Sequence, residues 1–530
     1  MKGLFILGTL LLFMITTLLA KSVGVESNHD PIVKMNVVDR LQPKFPAKLR
    51  DNSLGCLACE AAFHGLMFYL KKNDSASEIE AALNKICDSL PESFSKPCHT
   101  MSHSIAKFLP LLPELAKRQN YDVKALCSMV QYCEIDCCTT PTEPEQIHLS
   151  FLNTTARGVT WSTLLPSCPE VSVRVLGDTT WTTISGKNDT YHRGGWIGQI
   201  MMVRLDETNL PRFSMDHTYE YRVGCESSGY SPLFRFQFEK FSRHLIIADM
   251  GNANSDATLS GLLDHRDEVD SIVCVGDESY ADGYQAGWDN FLRRVQPLVA
   301  FVPFMTIPGN HEIGVVGQLG LAGYPYRFQL PYAQPWTSFP SPVLSNLHYG
   351  YSTHLIHWVT LDSESQLDLA MLTDYQVSWL DSYLSSIDRS VTPWVIVELH
   401  RPLYCTSPVR DCTSEAAYLR SRIESILNDH SVDLVLTGHR HNYERTFPVV
   451  NGTLVSDSYH NPSAPVYLVV GNAGNREGIA HFPSSAAPWS ASRITEHGFG
   501  VLDVSPSSLS FQMIHSESKD VIDKFAITKS

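Results

Sequence analysis

Beyond Glu239 the chain repeats one pattern five times, a short apolar run followed at once by a polar cluster. Leu245-Ile-Ile-Ala leads to Asp249, and Ile272-Val-Cys-Val leads to Gly276-Asp277-Glu-Ser-Tyr280. Phe304-Met-Thr-Ile leads to Gly309-Asn310-His311-Glu312, Val395-Ile-Val to His400, and Leu434-Val-Leu to Gly438-His439-Arg-His441. Short apolar runs bounded by polar residues are the mark of buried strands. Open α/β sheets gather their ligands at the carboxyl ends of the strands. Five such strands deliver Asp249, Asp277, Tyr280, Asn310, His400, His439 and His441 to one edge of a sheet. Carboxylate, phenolate, amide and imidazole donors in that number form a ligand set for two metal ions. Singly, each cluster has an ordinary explanation: an Asp behind a strand caps a turn, Gly-His-x-His is itself a turn, and a tyrosine packs. All five in order, each at a strand end, have none.

The rest of the chain bounds what surrounds this edge. At 530 residues it is too long for one core and calls for about two to four domains. Its 43% hydrophobic content is ordinary for globular domains, and its formal net charge of −15 argues against general nucleic-acid binding, which uses basic patches. Lys2 precedes a nearly unbroken apolar stretch from Leu4 to Ala20. This reads as a signal peptide over residues 1–20, although Leu18 breaks the small-residue rule for a cut after Ala20. Of 13 cysteines, eight crowd between Cys56 and Cys138, as expected in an oxidising compartment. Asn73, Asn153, Asn188 and Asn451 each open an Asn-x-Ser/Thr glycosylation acceptor. A secreted protein, or a lysosomal or vacuolar one, is expected.

Between Leu54 and Cys138 apolar residues recur at helical spacing. Cys56, Cys59, Phe63, Leu66 and Leu70 share one face, as do Ile79, Leu83, Ile86 and Leu90, and again Cys98, Met101, Ile105 and Phe108. Ser77 with Glu80 makes a capping box for the second stripe. The cysteines run Cys56, Cys59, Cys87, Cys98, Cys127 and Cys133, and six cysteines alone leave the pairing open. This pattern resembles the saposin family. The resemblance implies the bonds Cys56–Cys133, Cys59–Cys127 and Cys87–Cys98 in a disulfide-stapled all-α domain of saposin B type over residues 52–140. The apolar stripes serve either a helical core or contact with lipid or a membrane surface, and spacing does not separate the two.

After the linker Thr139-Thr-Pro-Thr-Glu-Pro144 the period falls to two. His148, Ser150 and Leu152 alternate, then Val159-Thr-Trp161, Val171-Ser-Val-Arg-Val175, Met201-Met-Val-Arg-Leu205 and Tyr219-Glu-Tyr-Arg-Val223. Turns rich in Gly, Asn and Asp separate them, so an antiparallel β-sandwich is expected over residues 144–240, as a packing or positioning module. Residues 243–530 alternate strands with helices such as Tyr375–Ser386 and Ala416–Asn428, and close on strands Val466–Val470, Gly500–Val504 and Leu509–Ile514. That alternation makes an α/β domain.

The polar clusters resemble the metallophosphoesterase superfamily and, within it, the purple acid phosphatases, whose signature is Asp-x-Gly, Gly-Asp-x-x-Tyr, Gly-Asn-His-Glu, Val-x-x-His and Gly-His-x-His. Val397-Glu-Leu-His400 supplies the fourth motif, and Asn442-Tyr-Glu-Arg445 and Gly474-Asn-Arg-Glu-Gly478 extend the likeness. Plant-type members also carry a fibronectin III-like sandwich ahead of a calcineurin-like α/β metallophosphoesterase sandwich. The resemblance implies an Fe(III) site of Asp249, Asp277, Tyr280 and His441. A divalent site for Zn, Mn or Fe would comprise Asp277, Asn310, His400 and His439, with Asp277 bridging. Hard carboxylates and a phenolate suit Fe(III), while imidazoles and an amide suit the second ion. The implied reaction is acid hydrolysis of phosphate monoesters by attack of an iron-bound hydroxide. His311 then either hydrogen-bonds phosphate and protonates the leaving group or orients a ligand carboxylate.

One stretch departs from the family pattern. Plant-type members carry a His-His pair shortly after the fourth-motif histidine, whereas Tyr404-Cys-Thr-Ser-Pro-Val-Arg410 has no histidine. Arg410 offers charge there but is a poor general acid. Cys405 and Cys412 are placed to close this loop, Cys137, Cys138, Cys168 and Cys225 remain for two further bonds, and Cys274 is left as a free thiol in a buried strand. Two alternatives stand beside the phosphatase. Acid sphingomyelinase-like dizinc phosphodiesterases also join a saposin domain to this fold, but Tyr280 stands where they have a histidine. A lipid-binding saposin protein with an inactive metal domain is opposed by the complete ligand set.

Overall fold

The computed structural model describes residues 133–530 apart from 314–322, 332–346 and 365–371, with isolated residues between 56 and 128. The leader, the apolar helical stripes beyond Cys59, the Ser77–Glu80 cap, Asn73 and Cys98 lie outside the described residues. Described residues up to Ile135, with His192–Trp196, belong to one compact unit, and Asp136–Tyr191 with Ile197–Ser530 form a second.

In the first unit the bonds Cys56–Cys133 and Cys59–Cys127 are formed as expected. They close stretches of 77 and 68 residues. Loops that long lose roughly 4 kcal/mol of unfolded-chain entropy on closure in the chain-entropy account. Cys87 is also disulfide-bonded.

The second unit opens on nine strands. They are β1 (Glu145–Asn153), β2 (Ala156–Thr163), β3 (Glu170–Val175), β4 (Thr182–Ser185), β5 (Lys187–Asp189), β6 (Gln199–Leu205), β7 (Thr218–Cys225), β8 (Gly229–Tyr230) and β9 (Phe234–Gln237). One sheet runs β1-β2-β6-β5; the other runs β8-β7-β3-β4, with β9 also on β7. All pairings are antiparallel. Leu149, Val159, Trp161, Val173, Val203, Tyr221 and Phe236 fill the space between them. Cys168–Cys225 and the neighbouring pair Cys137–Cys138 are the two further disulfides.

The alternation in β1 does not divide core from solvent. His148 and Ser150 are buried like the apolar residues between them, because this outer face packs on the α/β part. His148 Nε2 lies 2.7 Å from the Arg327 carbonyl oxygen, and the Ser150 hydroxyl donates to the Gln329 carbonyl. Arg327, 1% exposed, reaches Asp289 at 2.9 Å, Tyr191 Oη at 2.7 Å and Gln146 Oε1 at 2.9 Å. A buried cation this fully paired fixes the docking, since removing one partner of a buried pair costs about 3–5 kcal/mol.

The α/β part follows in chain order. It begins with β10 (Arg243–Ile247), α1 (Asp256–Asp264), β11 (Ser271–Cys274), α2 (Gln285–Val299), β12 (Phe304–Thr306), β13 (Tyr349–Ser352), β14 (Ile356–Thr360) and α3 (Asp374–Ser385). It continues with β15 (Trp394–Glu398), α4 (Ser414–Asp429), β16 (Leu434–Thr437), β17 (Tyr443–Thr446), β18 (Val466–Val470), β19 (Ser490–Ile494), β20 (Gly498–Ser505), β21 (Ser508–His515) and β22 (Val521–Thr528). The six-stranded sheet β12-β11-β10-β20-β21-β22 and the seven-stranded sheet β13-β14-β15-β16-β18-β17-β19 form two layers.

Ile246, Val273 and Met305 of the first sheet share one core with Trp358, Ile396 and Leu468 of the second. Leu380, Leu419 and Ile423 of α3 and α4 cover the other face, against Val395, Val397 and Val435. β10, β11 and β12 run parallel in the first sheet, as do β14, β15, β16 and β18 in the second, and burial on both faces is why they read as continuous apolar runs. The five motif strands are therefore not one sheet. β10, β11 and β12 lie in one and β15 and β16 in the other, so the expected single edge is two edges brought together.

Candidate metal centre

Three of the five polar clusters leave their strands through left-handed backbone. Asp249, Asp277, Tyr280, Asp282 and His439 all have positive φ, between 51° and 67°. Left-handed backbone costs a non-glycine residue about 1–3 kcal/mol and persists where the surroundings impose it. Two glycines make room. A Cβ on Gly276 would sit 2.5 Å from His400 Nδ1, and one on Gly309 would sit 2.2 Å from Asp277 Oδ1.

The seven expected ligands come together in two groups, Asp249, Tyr280 and His441 in one and Asp277, Asn310, His400 and His439 in the other. In the first, Tyr280 Oη lies 3.2 Å from Asp249 Oδ1 and 2.9 Å from His441 Nε2, and that nitrogen is 3.4 Å from Asp249 Oδ1. In the second, Asn310 Oδ1 is 3.2 Å from His400 Nε2 and 2.7 Å from His439 Nδ1, and His400 Nε2 is 3.1 Å from Asp277 Oδ2. The His439 amide donates to Asp249 Oδ2 at 2.8 Å and ties the groups together.

The far ring nitrogens are held from behind. His400 Nδ1 lies 2.9 Å from the Val275 carbonyl and His441 Nδ1 lies 3.1 Å from that of Gly478, which points each Nε2 lone pair into the site. Two carboxylates, a phenol and an imidazole that are buried, with a half-buried amide oxygen and two half-buried imidazoles, fit a pair of cations.

The electrostatics agree with that fit. Burial pushes the Asp249 carboxyl up. For Asp277 burial is outweighed by His400 and His311, and the carboxyl is held well below its usual range. His400 is raised to about 10, burial being overcome by Asp277, while burial and Arg401 push His439 down to about 3. Glu312 accepts from the amides of Asp277, Glu278 and Gly309 at 2.8, 3.2 and 2.8 Å, pinning two loops under the site, a role its place in the motif did not disclose.

His311 is buried with its ring on Tyr280, its Nδ1 2.7 Å from Asp282 Oδ1 and its Nε2 3.9 Å from Asp277 Oδ2 and 3.5 Å from Glu477. Arg476 pairs with Asp282 from the far side. Arg410 does not face the site; it is exposed and pairs with Glu415 at 2.5 Å. The residues sequence reasoning passed over are Arg401, 3.3 Å from His439 Nε2, and Asp411, 3.4 Å from the same nitrogen. Cys405–Cys412 closes the loop that carries Asp411, and Cys274 is free and buried as expected. Asn153, Asn188 and Asn451 are exposed.

An α/β sandwich that collects such a cluster at its strand ends is a metallophosphoesterase. Residues 242–443 match the calcineurin-like phosphoesterase family and 464–524 the iron/zinc purple acid phosphatase-like protein C family. Residues 144–238 match the purple acid phosphatase N-terminal domain, and 54–91 match the saposin-like type B, region 1 family. The chain is 30% identical over 386 residues to purple acid phosphatase 18 of Arabidopsis thaliana, covering 71% of this chain and 82% of that protein. It is also 30% identical to acid phosphatase type 7 of Mus musculus, covering 67% and 84%. A purple acid phosphatase from yellow lupin (Lupinus luteus) seeds has the same fold, with TM-score 0.63 at 21% identity over 74% of this chain and 75% of that one. The chain belongs to the purple acid phosphatase family, hydrolases of phosphate monoesters that work with a binuclear centre of iron and a second metal. Among the described residues no helix is long and apolar enough to cross a membrane.

Proposed function

We propose that Asp249, Asp277, Tyr280 and His441 hold Fe(III), that Asp277, Asn310, His400 and His439 hold a divalent ion (Zn, Mn or Fe), and that Asp277 bridges them. The observation that carries this reading is the phenol of Tyr280 set between Asp249 Oδ1 and His441 Nε2 at 3.2 and 2.9 Å, a hard oxygen where a zinc phosphodiesterase would have an imidazole. Bound there, the metal pair supplies Lewis acidity toward a phosphate ester and an activated water that survives acid pH.

The chain's own groups do the rest. The Asp249 and Asp277 carboxylates offset the cations' charge, and the carbonyls of Val275 and Gly478 keep two imidazoles in the tautomer that offers Nε2. Asp282 holds His311 Nδ1–H, and with Arg476 behind it leaves Nε2 beside Asp277 as the proton donor for a phosphate oxygen or a leaving alkoxide. In the metal-free site Asp282 and Asp277 overcome burial and raise His311 to about 9. The test is the visible spectrum and metal content of the purified protein. A tyrosinate-to-iron band that vanishes in Tyr280→Phe is expected, and a colourless, fully active two-zinc enzyme would overturn the assignment.

The working domain bounds are 52–140, 144–240 and 243–530 after a leader of residues 1–20. The disulfide-rich first unit and three exposed Asn-x-Ser/Thr acceptors support secretion or delivery to a lysosome or vacuole. The saposin-like domain is the candidate for lipid or membrane-surface contact.

A further inference from the structure

His439 is the one expected imidazole ligand whose far nitrogen meets side chains instead of a backbone carbonyl. Its Nδ1 faces Asn310 Oδ1 at 2.7 Å, on the side of the proposed divalent ion. Its Nε2 has two competing neighbours, Arg401 Nη1 at 3.3 Å and Asp411 Oδ2 at 3.4 Å. They favour opposite tautomers. A guanidinium only donates, so Arg401 bonds to Nε2 only when the proton is on Nδ1, which removes the lone pair a metal needs. A carboxylate only accepts, so Asp411 bonds to Nε2–H and leaves Nδ1 bare.

The surroundings favour Asp411. Arg401 is already engaged, with Nε on Glu364 at 2.9 and 3.0 Å and Nη1 on Glu415 at 2.9 Å. Asp411 is steered toward the ring: Arg440 Nη1 donates to the same Oδ2 at 3.2 Å, and the disulfide Cys405–Cys412 ends beside it. This is the stretch after His400 that lacks the His-His pair of plant-type relatives.

We propose that Asp411 is a positioning residue that fixes the His439 tautomer for the divalent ion, set against Arg401 and held by the Cys405–Cys412 loop. The inference rests on the metal-site reading above, and it assigns the His-less loop to metal loading.

The test is zinc titration by calorimetry of iron-loaded protein, wild type against Asp411→Ala. Asp411→Ala should bind zinc about 10- to 100-fold more weakly, the usual loss when an outer carboxylate is removed from a ligating histidine. The tyrosinate–iron band should be unchanged. Nitrogen-15 shifts of His439 in metal-free protein should move from the Nε2–H to the Nδ1–H form in the variant. Asp411→Asn, nearly isosteric and retaining an acceptor oxygen, should fall between and carries the comparison if the alanine variant does not fold. Equal zinc affinity with an unchanged tautomer would overturn the proposal, as would loss of the iron band together with zinc. Wild-type protein that takes up none of zinc, manganese and ferrous iron would instead overturn the metal-site reading itself.

Discussion

The ring of Tyr280 lies over the imidazole of His311, centroids 4.0 Å apart and planes inclined by 31°, while its hydroxyl reaches away to Asp249 and His441. One residue thus supports the proposed proton donor with its face and the proposed ferric site with its oxygen. Tyr280→Phe separates the two roles. It should keep the stacked ring and the fold but lose the visible absorption and most bound iron. Leaving buried Asp249 and half-buried His441 without that partner should cost about 1–3 kcal/mol in thermal unfolding.

His311→Ala should lower kcat by about 100- to 10,000-fold, the span ascribed to a positioned acid or base, with bound metal unchanged. Asp282→Asn should lower kcat less, because it leaves the ring in place and removes only the anion that holds Nδ1–H. Steady-state rates at acid pH with metal analysis check both. An unchanged kcat in His311→Ala with full metal content would end its catalytic role.

Metal uptake by the metal-free protein should release protons. His400 is raised to about 10, burial being outweighed by Asp277, so it is protonated at pH 6, whereas His439, pushed down to about 3, is already neutral. A ligating imidazole must be neutral, so affinity should rise about tenfold per pH unit below 10 for the His400 proton. Calorimetry in two buffers of different ionisation enthalpy reads the release directly. Finding none at pH 6 would contradict the expectation.

Glu239, at the join between the β-sandwich and the α/β part, has an unpaired, buried Oε1, and burial raises its carboxyl to about 7 despite Arg157. The folded protein therefore keeps a proton that an unfolded glutamate loses near 4.5. Its stabilising contribution is present below pH 4.5 and is lost as pH rises toward 7, at up to about 1.4 kcal/mol per unit. Glu239→Gln should match wild type near pH 4.5 and melt higher near pH 7.5. Burial lowers His244 and His348 to about 4, which acts in the opposite direction, so the comparison must be made between the two proteins at each pH.

The convergence of the proposed ligands was legible because their signal is local: a buried strand and the residue just past its carboxyl end are adjacent in the chain. What was not legible depends on partners distant in sequence. His148 and Ser150 alternate with apolar residues as solvent-facing positions do, and they do point out of the β-sandwich, but toward Arg327 and Gln329 and not toward water. Asp411 reads as an ordinary loop acid until the fold brings His439 beside it. The division of the five motif strands between two sheets is set by pairings such as β10 with β20, which no run of residues announces.

That division has a mechanical consequence. In the proposed centre, Asp249, Asp277, Tyr280 and Asn310 come from the first sheet, and His400, His439 and His441 come from the second. Neither ion is held by one layer alone. A metal bound there would be a clasp across the seam of the sandwich, and a chelator would withdraw coordinate bonds that join its two halves at that end. Amide exchange should therefore accelerate on demetallation in β11 and β16 together, strands in different sheets that lie buried far from solvent.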